Sequence, residues 1–269
     1  LTLEWDAAEY EVVSVPHVGW GVGLLRCALE RRLLRGDETA IDAGCGTGKI
    51  TELLLRHLPH GTVLAVDASA AMVEAARERF AGDGRVRVEQ QDLVQLQLQR
   101  PVDLIFSTAT FHWIQDHERL FGRLARALKP GGRLVVQCGG KGNIARMMEA
   151  AEEVMDGERF RDFFEGWEGP WNFADAETTG ERLEATGFEK VETWLQDEVT
   201  RFGSRDELAR FLKTVVLGRH LERLPESEHQ PFADAVAQKA AATEGAATEG
   251  ALAIHYVRLN ILATRGREP

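Results

Sequence analysis

Residues 41–48, Ile41-Asp42-Ala43-Gly44-Cys45-Gly46-Thr47-Gly48, place an acid, three alternate glycines and a hydroxyl where an apolar run gives way to a helical one. Glycine tolerates positive φ and lets a ligand approach the backbone. The helix start beyond it presents unpaired N–H groups suited to a carboxylate or a phosphate. Glycine turns also serve plain helix–sheet packing, so the string alone decides little. Two further acids sharpen it. Asp67 closes the next apolar run, 19 positions after Gly48, where a carboxylate can accept hydrogen bonds from ribose hydroxyls. Asp92 follows the third run, where a carboxylate could meet an adenine amino group. Three ligand-facing features at the ends of three successive strands point to a nucleoside-bearing cofactor.

The spacing also bears on which cofactor. A pyrophosphate-binding loop reads GxGxxG, whereas here the glycines alternate and Asp42 stands two places before the first. An acid there suits an amino group better than a pyrophosphate. D-x-G-x-G-x-G resembles the first motif of class I S-adenosylmethionine-dependent methyltransferases. Asp67-Ala68-Ser69 with Met72 is similar to their second motif, Gln91-Asp92-Leu93 to their adenine motif, and Leu128-Lys129-Pro130-Gly131-Gly132 to the turn before their fifth strand. These matches span residues 39–137. The resemblance implies S-adenosylmethionine as cofactor and no metal. Asp42, Gly44, Cys45, Gly46, Thr47 and Gly48 would lie around its methionine part, Asp67 and Ala68 at the ribose, and Met72, Asp92 and Leu93 at the adenine. It also implies an α/β, Rossmann-like, doubly wound seven-stranded sheet in the order 3-2-1-4-5-7-6, with strand 7 antiparallel and helical cap insertions.

The acceptor would meet the segment after the fourth strand, Ser107-Thr108-Ala109-Thr110-Phe111-His112-Trp113, because ligands sit at the carboxyl ends of strands in such sheets. Ser107 and Thr108 would border the cofactor. His112 and Trp113 resemble the corresponding loop of the trans-aconitate and juvenile-hormone-acid methyltransferases, and Trp5-Asp6-x-x-x-Tyr10 resembles their lid. The resemblance implies a small-molecule acceptor bound by His112 and Trp113, foremost a carboxylic acid. A carboxylate is already ionised at neutral pH and needs no base; a hydroxyl, amine or carbon acceptor usually needs one, and His112 is the candidate. Equally, His112 can simply hydrogen-bond to structure. Hydroxyl, N- or C-methylation, a non-catalytic S-adenosylmethionine-binding protein and a nicotinamide-dependent oxidoreductase are the competing readings. Trp167 and Trp171 read as loop anchors, and His17, Trp20 and Tyr10 as packing or as closure over a pocket. Arg146, Lys213, Arg219 and Arg258 could hold an anion, although such residues are mostly solvated. Cys45 reads as a small filler.

Stepwise periodicity supplies the elements that carry these residues. Apolar runs at Thr39–Asp42, Thr62–Val66, Val86–Glu89, Val102–Ser107 and Arg133–Gln137 alternate with helical spacing over 49–58, 69–80 and 117–128, the pattern of βαβ units with a parallel sheet. Beyond residue 140 a helix over 143–155, an aromatic loop over 160–173, a helix over 177–186 stopped by Gly187, and strands at 188–200 and 253–263 are expected. Residues 204–240 read as helices interrupted at Pro225 and Pro231, and 241–250, AATEG written twice, as a helix end and exposed loop. One domain over 1–269 follows, with lid helices in 1–37, a cofactor-binding core in 38–140, a helix and aromatic loop in 141–187, and the last two strands in 188–269 around a cap insert at about 204–245.

Bulk properties narrow the partners. A net charge of −11 disfavours nucleic acid, whose backbone calls for a basic face. No apolar run approaches the roughly 18 residues of a membrane span, and no basic-then-apolar leader is evident. Three dispersed cysteines, Cys27, Cys45 and Cys138, suit a reducing cytoplasm better than a disulfide framework or zinc site. A monomer or homodimer is expected.

Overall fold

The computed structural model describes residues 5–13, 15–243 and 252–267. Its seven strands are β1 (Thr39–Ala43), β2 (Thr62–Asp67), β3 (Val86–Gln90), β4 (Val102–Thr108), β5 (Leu128–Gly139), β6 (Phe188–Phe202) and β7 (Leu252–Arg265). They form one sheet in the order β3-β2-β1-β4-β5-β7-β6. The first five pair in parallel, and β7 runs antiparallel to both β5 and β6. This is the expected topology, including the reversed last strand.

Helices α1 (Ala7–Val13) and α2 (Val15–Glu30) precede the sheet, and α3 (Lys49–Arg56), α4 (Ala70–Arg79) and α5 (His117–Ala127) cross between its strands. Local chemistry sets their ends. Gly48, at φ +87, starts α3. The Ser69 hydroxyl accepts from the Met72 N–H to cap α4, and Asp116 caps α5 through the Arg119 N–H; such caps satisfy donors a helix start leaves unpaired. Leu24, Leu25, Leu54 and Leu55 of α2 and α3 pack on Ala40, Leu104, Phe106 and Val135. On the opposite face Leu120, Phe121 and Leu124 of α5 and Leu183 of α8 (Ala176–Ala185) meet Ile41, Ile105, Leu134 and Ile261.

A second core lies over the carboxyl ends of the strands. It joins α6 (Ala145–Met155), α7 (Arg161–Phe164), α9 (Arg205–Phe211), a π-helical turn (Leu212–Val216), α10 (Gly218–Leu221) and α11 (Glu226–Thr243) to Trp20, Phe202, Ile254 and Tyr256. These helices and α1 roof the site.

Four sequence expectations need revision. The helix over 204–240 breaks before Pro225 but runs through Pro231, because burial of Phe232, Ala233 and Val236 outweighs the loss of one helical hydrogen bond. Lys129–Gly132 is an irregularity within β5: pairing jumps from Val102–Leu128 to Leu104–Arg133. The helix expected from 143 begins at Ala145, after Ile144 in the left-handed region at φ +49. The aromatic loop contains the short helix α7. Of the doubled pentapeptide, the helix continues to Thr243, while 244–250 lie outside the described residues. Among the described residues no helix is long and apolar enough to cross a membrane.

Candidate active site

The glycine loop is stapled to its neighbour: the N–H groups of Gly44 and Cys45 both donate to the Val66 carbonyl, at 2.8 and 3.0 Å. Glycine is required at two positions for different reasons. At Gly44, φ is +79 and a Cβ would lie 2.0 Å from Thr110 Oγ1. At Gly46, φ is +54 and a Cβ would meet no protein atom within 4 Å, so its bare backbone borders open space. The Asp67 carboxylate is fixed by two backbone donors, Gly46 N–H to Oδ2 and Ser69 N–H to Oδ1, each at 2.9 Å. Loop, acid and start of α4 are one hydrogen-bonded unit.

These groups open onto a cavity of about 290 Å³, at the lower end of small-ligand sites, roughly 300–1,000 Å³. It gathers most of the residues singled out in the sequence: Gly44 and Gly46 after β1, Asp67, Ala68 and Met72 after β2, Asp92 and Leu93 after β3, Thr108, His112 and Trp113 after β4, and Tyr10 from α1. Asp92 caps the short turn Leu93–Gln95 by accepting from the Val94 N–H. Five others lie behind or beside the wall. Gly48 packs under Phe80, and Ser107 is fully buried, donating to the Ala43 carbonyl at 2.6 Å. Cys45 and Thr47 border a small side hollow, where Thr47 Oγ1 donates to Glu11 at 2.6 Å; burial holds the Cys45 thiol well above its ordinary range, so it is no nucleophile. Asp42 is buried, accepts from Thr51 Oγ1 at 2.5 Å, and has no partner on Oδ1. Burial, opposed by the Thr51 bond and reinforced by Asp67, pushes its carboxyl up to about 7. A second, more voluminous hollow, about 1010 Å³ between α2, β6 and α9, touches no residue of the glycine loop.

His112 stands on the turn Phe111–Trp113. Its Nδ1 accepts from the Gly139 N–H at 3.2 Å. Burial, then Arg258, His17 and His117, holds its pKa well below the ordinary value, so the ring is neutral and its proton resides on Nε2. His112 therefore offers the cavity a donor. Its ring stacks on Phe173 at 5.8 Å, and Trp171, stacked in turn on Phe173, lines the cavity; Trp167 instead belongs to the cap core beside His220. Tyr10 shares a 3.0 Å hydrogen bond with His17. Ala109 at φ +56 and Ile144 at φ +49, neither a glycine, both border the cavity; strain of this kind, about 1–3 kcal/mol each, collects at ligand sites.

Tyr256, passed over in the sequence, and Arg258, weighed there as a possible anion holder but set aside as solvated, are also here. Tyr256 and Arg258 of β7 line the cavity, and Tyr256 Oη, Arg258 Nε and Arg258 Nη2 are buried without a hydrogen-bond partner. In sequence they alternate inside an apolar strand, AIHYVRLNILA; an arginine among inward-facing positions was the available signal.

The residues present fit a nucleoside-bearing amino-acid cofactor: a bare backbone at Gly46, a carboxylate held at the end of β2, and an orphaned buried oxygen on Asp42. With the strand order, this defines the class I S-adenosylmethionine-dependent methyltransferases. Comparison with known proteins agrees. Residues 40–132 match the methyltransferase domain family. The trans-aconitate 2-methyltransferase of Sinorhizobium fredii is 30% identical over 235 residues, covering 84% of this chain and 86% of that one. That of Sinorhizobium medicae is 29% identical over 98% of this chain and 100% of its own. With the Methylobacterium nodulans protein of the same name the identity is 38%, and there the chain spans about half the relative's length, 49%. Among solved structures, the YcgJ protein of Bacillus subtilis superposes with a TM-score of 0.62 at 15% identity, covering 91% of this chain and 99% of that one. A phosphoethanolamine N-methyltransferase of Haemonchus contortus, solved with S-adenosylhomocysteine, gives 0.60 at 18%, covering 97% and 57%. The chain belongs to the family of class I methyltransferases that contains the trans-aconitate 2-methyltransferases, and its cofactor is S-adenosylmethionine.

Proposed function

We propose that the protein transfers the methyl group of S-adenosylmethionine to a carboxylate oxygen of a small acid, forming a methyl ester. One observation carries the reading: His112 Nδ1 already accepts from a backbone N–H in a neutral ring, so the residue best placed to be a base presents a proton instead. A carboxylate needs no base, and transfer then depends on positioning in a water-poor cavity. The cofactor, when bound, supplies an electrophilic methyl on a sulfonium.

The chain's own residues divide the work. Gly44, Cys45, Gly46, Thr47 and Gly48 shape the pocket for the methionine part, with Asp42 toward its amino group. Asp67 and Ala68 take the ribose, and Met72, Asp92 and Leu93 the adenine. Ser107 and Thr108 hold the floor at the end of β4, and Tyr10 closes the lid. His112 donates through Nε2 to the acceptor carboxylate, and Trp113 excludes water beside it. The relatives named for trans-aconitate, a polycarboxylic acid, favour the same acceptor chemistry. The test is incubation with S-adenosylmethionine and a panel of small acids, alcohols, amines and carbon acids, reading methyl transfer by mass spectrometry. Base-labile methyl esters from acids are expected; transfer to the other acceptors alone would overturn the reading.

A further inference from the structure

We propose that Tyr256 and Arg258 form an anion cradle for a second, non-reacting carboxylate of the acceptor, so that the site selects acids with at least two carboxylates. This rests on the carboxylate-acceptor reading above.

The two residues stand two apart on β7 and so share one face of the strand, and both line the cavity. Tyr256 Oη, Arg258 Nε and Arg258 Nη2 are buried without partners, and Arg258 is only 2% exposed. A buried, unpaired guanidinium is costly in a folded chain, and no ion pair of Arg258 is present among the described residues. Its cost is understandable if a ligand completes the site. The Trp20 ring lies 4.1 Å from the guanidinium carbon and meets Tyr256 edge-on at 4.7 Å. One indole therefore fixes both side chains, yet a ring face satisfies charge without occupying the in-plane N–H donors. What remains is a planar fork beside a phenol, three donors that meet no protein acceptor, matching a carboxylate. Burial lowers the Arg258 pKa only to about 10, so the cradle is cationic at neutral pH.

The gripped carboxylate is an anchor. Pairing with a guanidinium withdraws lone-pair density and holds both oxygens, which disfavours attack on a methyl group, so the reacting carboxylate must be another one on the same molecule.

The test is calorimetric titration of the protein saturated with S-adenosylhomocysteine, using tricarballylate as a polycarboxylate and butyrate as a monocarboxylate. Wild-type protein is expected to bind tricarballylate more tightly, and Arg258→Gln to weaken that binding by about tenfold to a hundredfold, as for a lost charged hydrogen bond. Tyr256→Phe should weaken it by a smaller factor. Both should leave S-adenosylhomocysteine affinity unchanged. Arg258→Met, which removes the unpaired charge, should melt higher than wild type without ligand and show no shift with tricarballylate; this separates a ligand site from a structural arginine. Equal wild-type affinity for the two acids, unchanged tricarballylate binding in Arg258→Gln, or loss of S-adenosylhomocysteine binding instead would each overturn the cradle. Tricarballylate held through Arg258 with no ester formed on any acid would sink the reaction and leave the cradle standing. Esters formed equally on mono- and polyacids, with Arg258→Gln silent, would do the reverse.

Discussion

At His112 a single backbone hydrogen bond decides what a buried imidazole can do. With Nδ1 committed to Gly139 and ionisation suppressed by burial, turnover on an acid at saturating S-adenosylmethionine, where Asp42 no longer limits cofactor binding, should be flat between about pH 6 and 9, since His112 does not titrate there. A rising limb near the ordinary histidine pKa would restore a base role. His112→Gln, which still offers an N–H, should retain most activity, whereas His112→Ala should fall by about tenfold to a hundredfold, the worth of a hydrogen bond to a charged group. Asp42 makes a prediction of the opposite kind. Its carboxyl is raised from 3.8 to about 7, so between those values the native state holds a proton the unfolded chain has released. The stability this provides is full below pH 3.8 and is lost as pH rises to about 7, by up to about 4 kcal/mol. Denaturant unfolding of the ligand-free protein should show that decline, and Asp42→Asn, neutral throughout, should flatten it; parallel curves would refute the assignment.

The glycine loop separates folding from binding within one turn. Gly44→Ala pushes a methyl into Thr110, whereas Gly46→Ala directs it into open space. Gly46→Ala should therefore cost only about 1–2 kcal/mol of stability for its left-handed backbone while weakening S-adenosylhomocysteine binding strongly. Gly44→Ala should damage both, as calorimetry and melting on the same samples would report. Helix α1 depends on Glu11, which takes the Thr47 hydroxyl at 2.6 Å and Arg79 at 2.5 Å and lies 3.5 Å from Lys49. These pairs are partly exposed and add little global stability, but they pin α1 across the loop. Glu11→Ala should leave the melting temperature nearly unchanged, speed amide exchange over 7–13 and hasten S-adenosylhomocysteine release; unchanged exchange would show that α1 is held by Tyr10 and Trp5 alone.

Over the whole molecule, ligand binding at the junction of sheet and cap couples two cores. S-adenosylhomocysteine at a hundred times its Kd should add about 2.7 kcal/mol and raise the melting temperature by roughly 5–10 °C for a chain of this size, with NADH producing no shift. A shift with NADH alone would return the loop to pyrophosphate recognition. At a net charge of −11 the chain as a whole does not attract anions, so the proposed cradle at Arg258 would have to capture an anionic acceptor by local contacts.

The sheet, and the gathering of the glycine loop and its acidic neighbours around one cavity, were legible because their information is local. Alternating short apolar runs and helical periods set the first five strands, and Asp42, Gly44, Gly46, Asp67 and Asp92 occupy fixed steps from strand ends, where spacing alone implies a ligand. The topology of the last two strands came from family resemblance, since neither spacing nor burial in one chain says which neighbour a strand will pair with. Pro231 was misjudged because tertiary burial of Phe232 outweighs a local helix breaker. The acceptor end stayed hidden for the same reason. Whether His112 gives or takes a proton depends on Gly139, 27 residues away, and Arg258 reads as one more solvated cation until β7, Trp20 and the cap bury it. Sequence determined where the chain must turn and which glycines and acids stand at the strand ends; only tertiary packing, which sets desolvation and leaves donors unpaired, decided which polar groups face the cavity beside them.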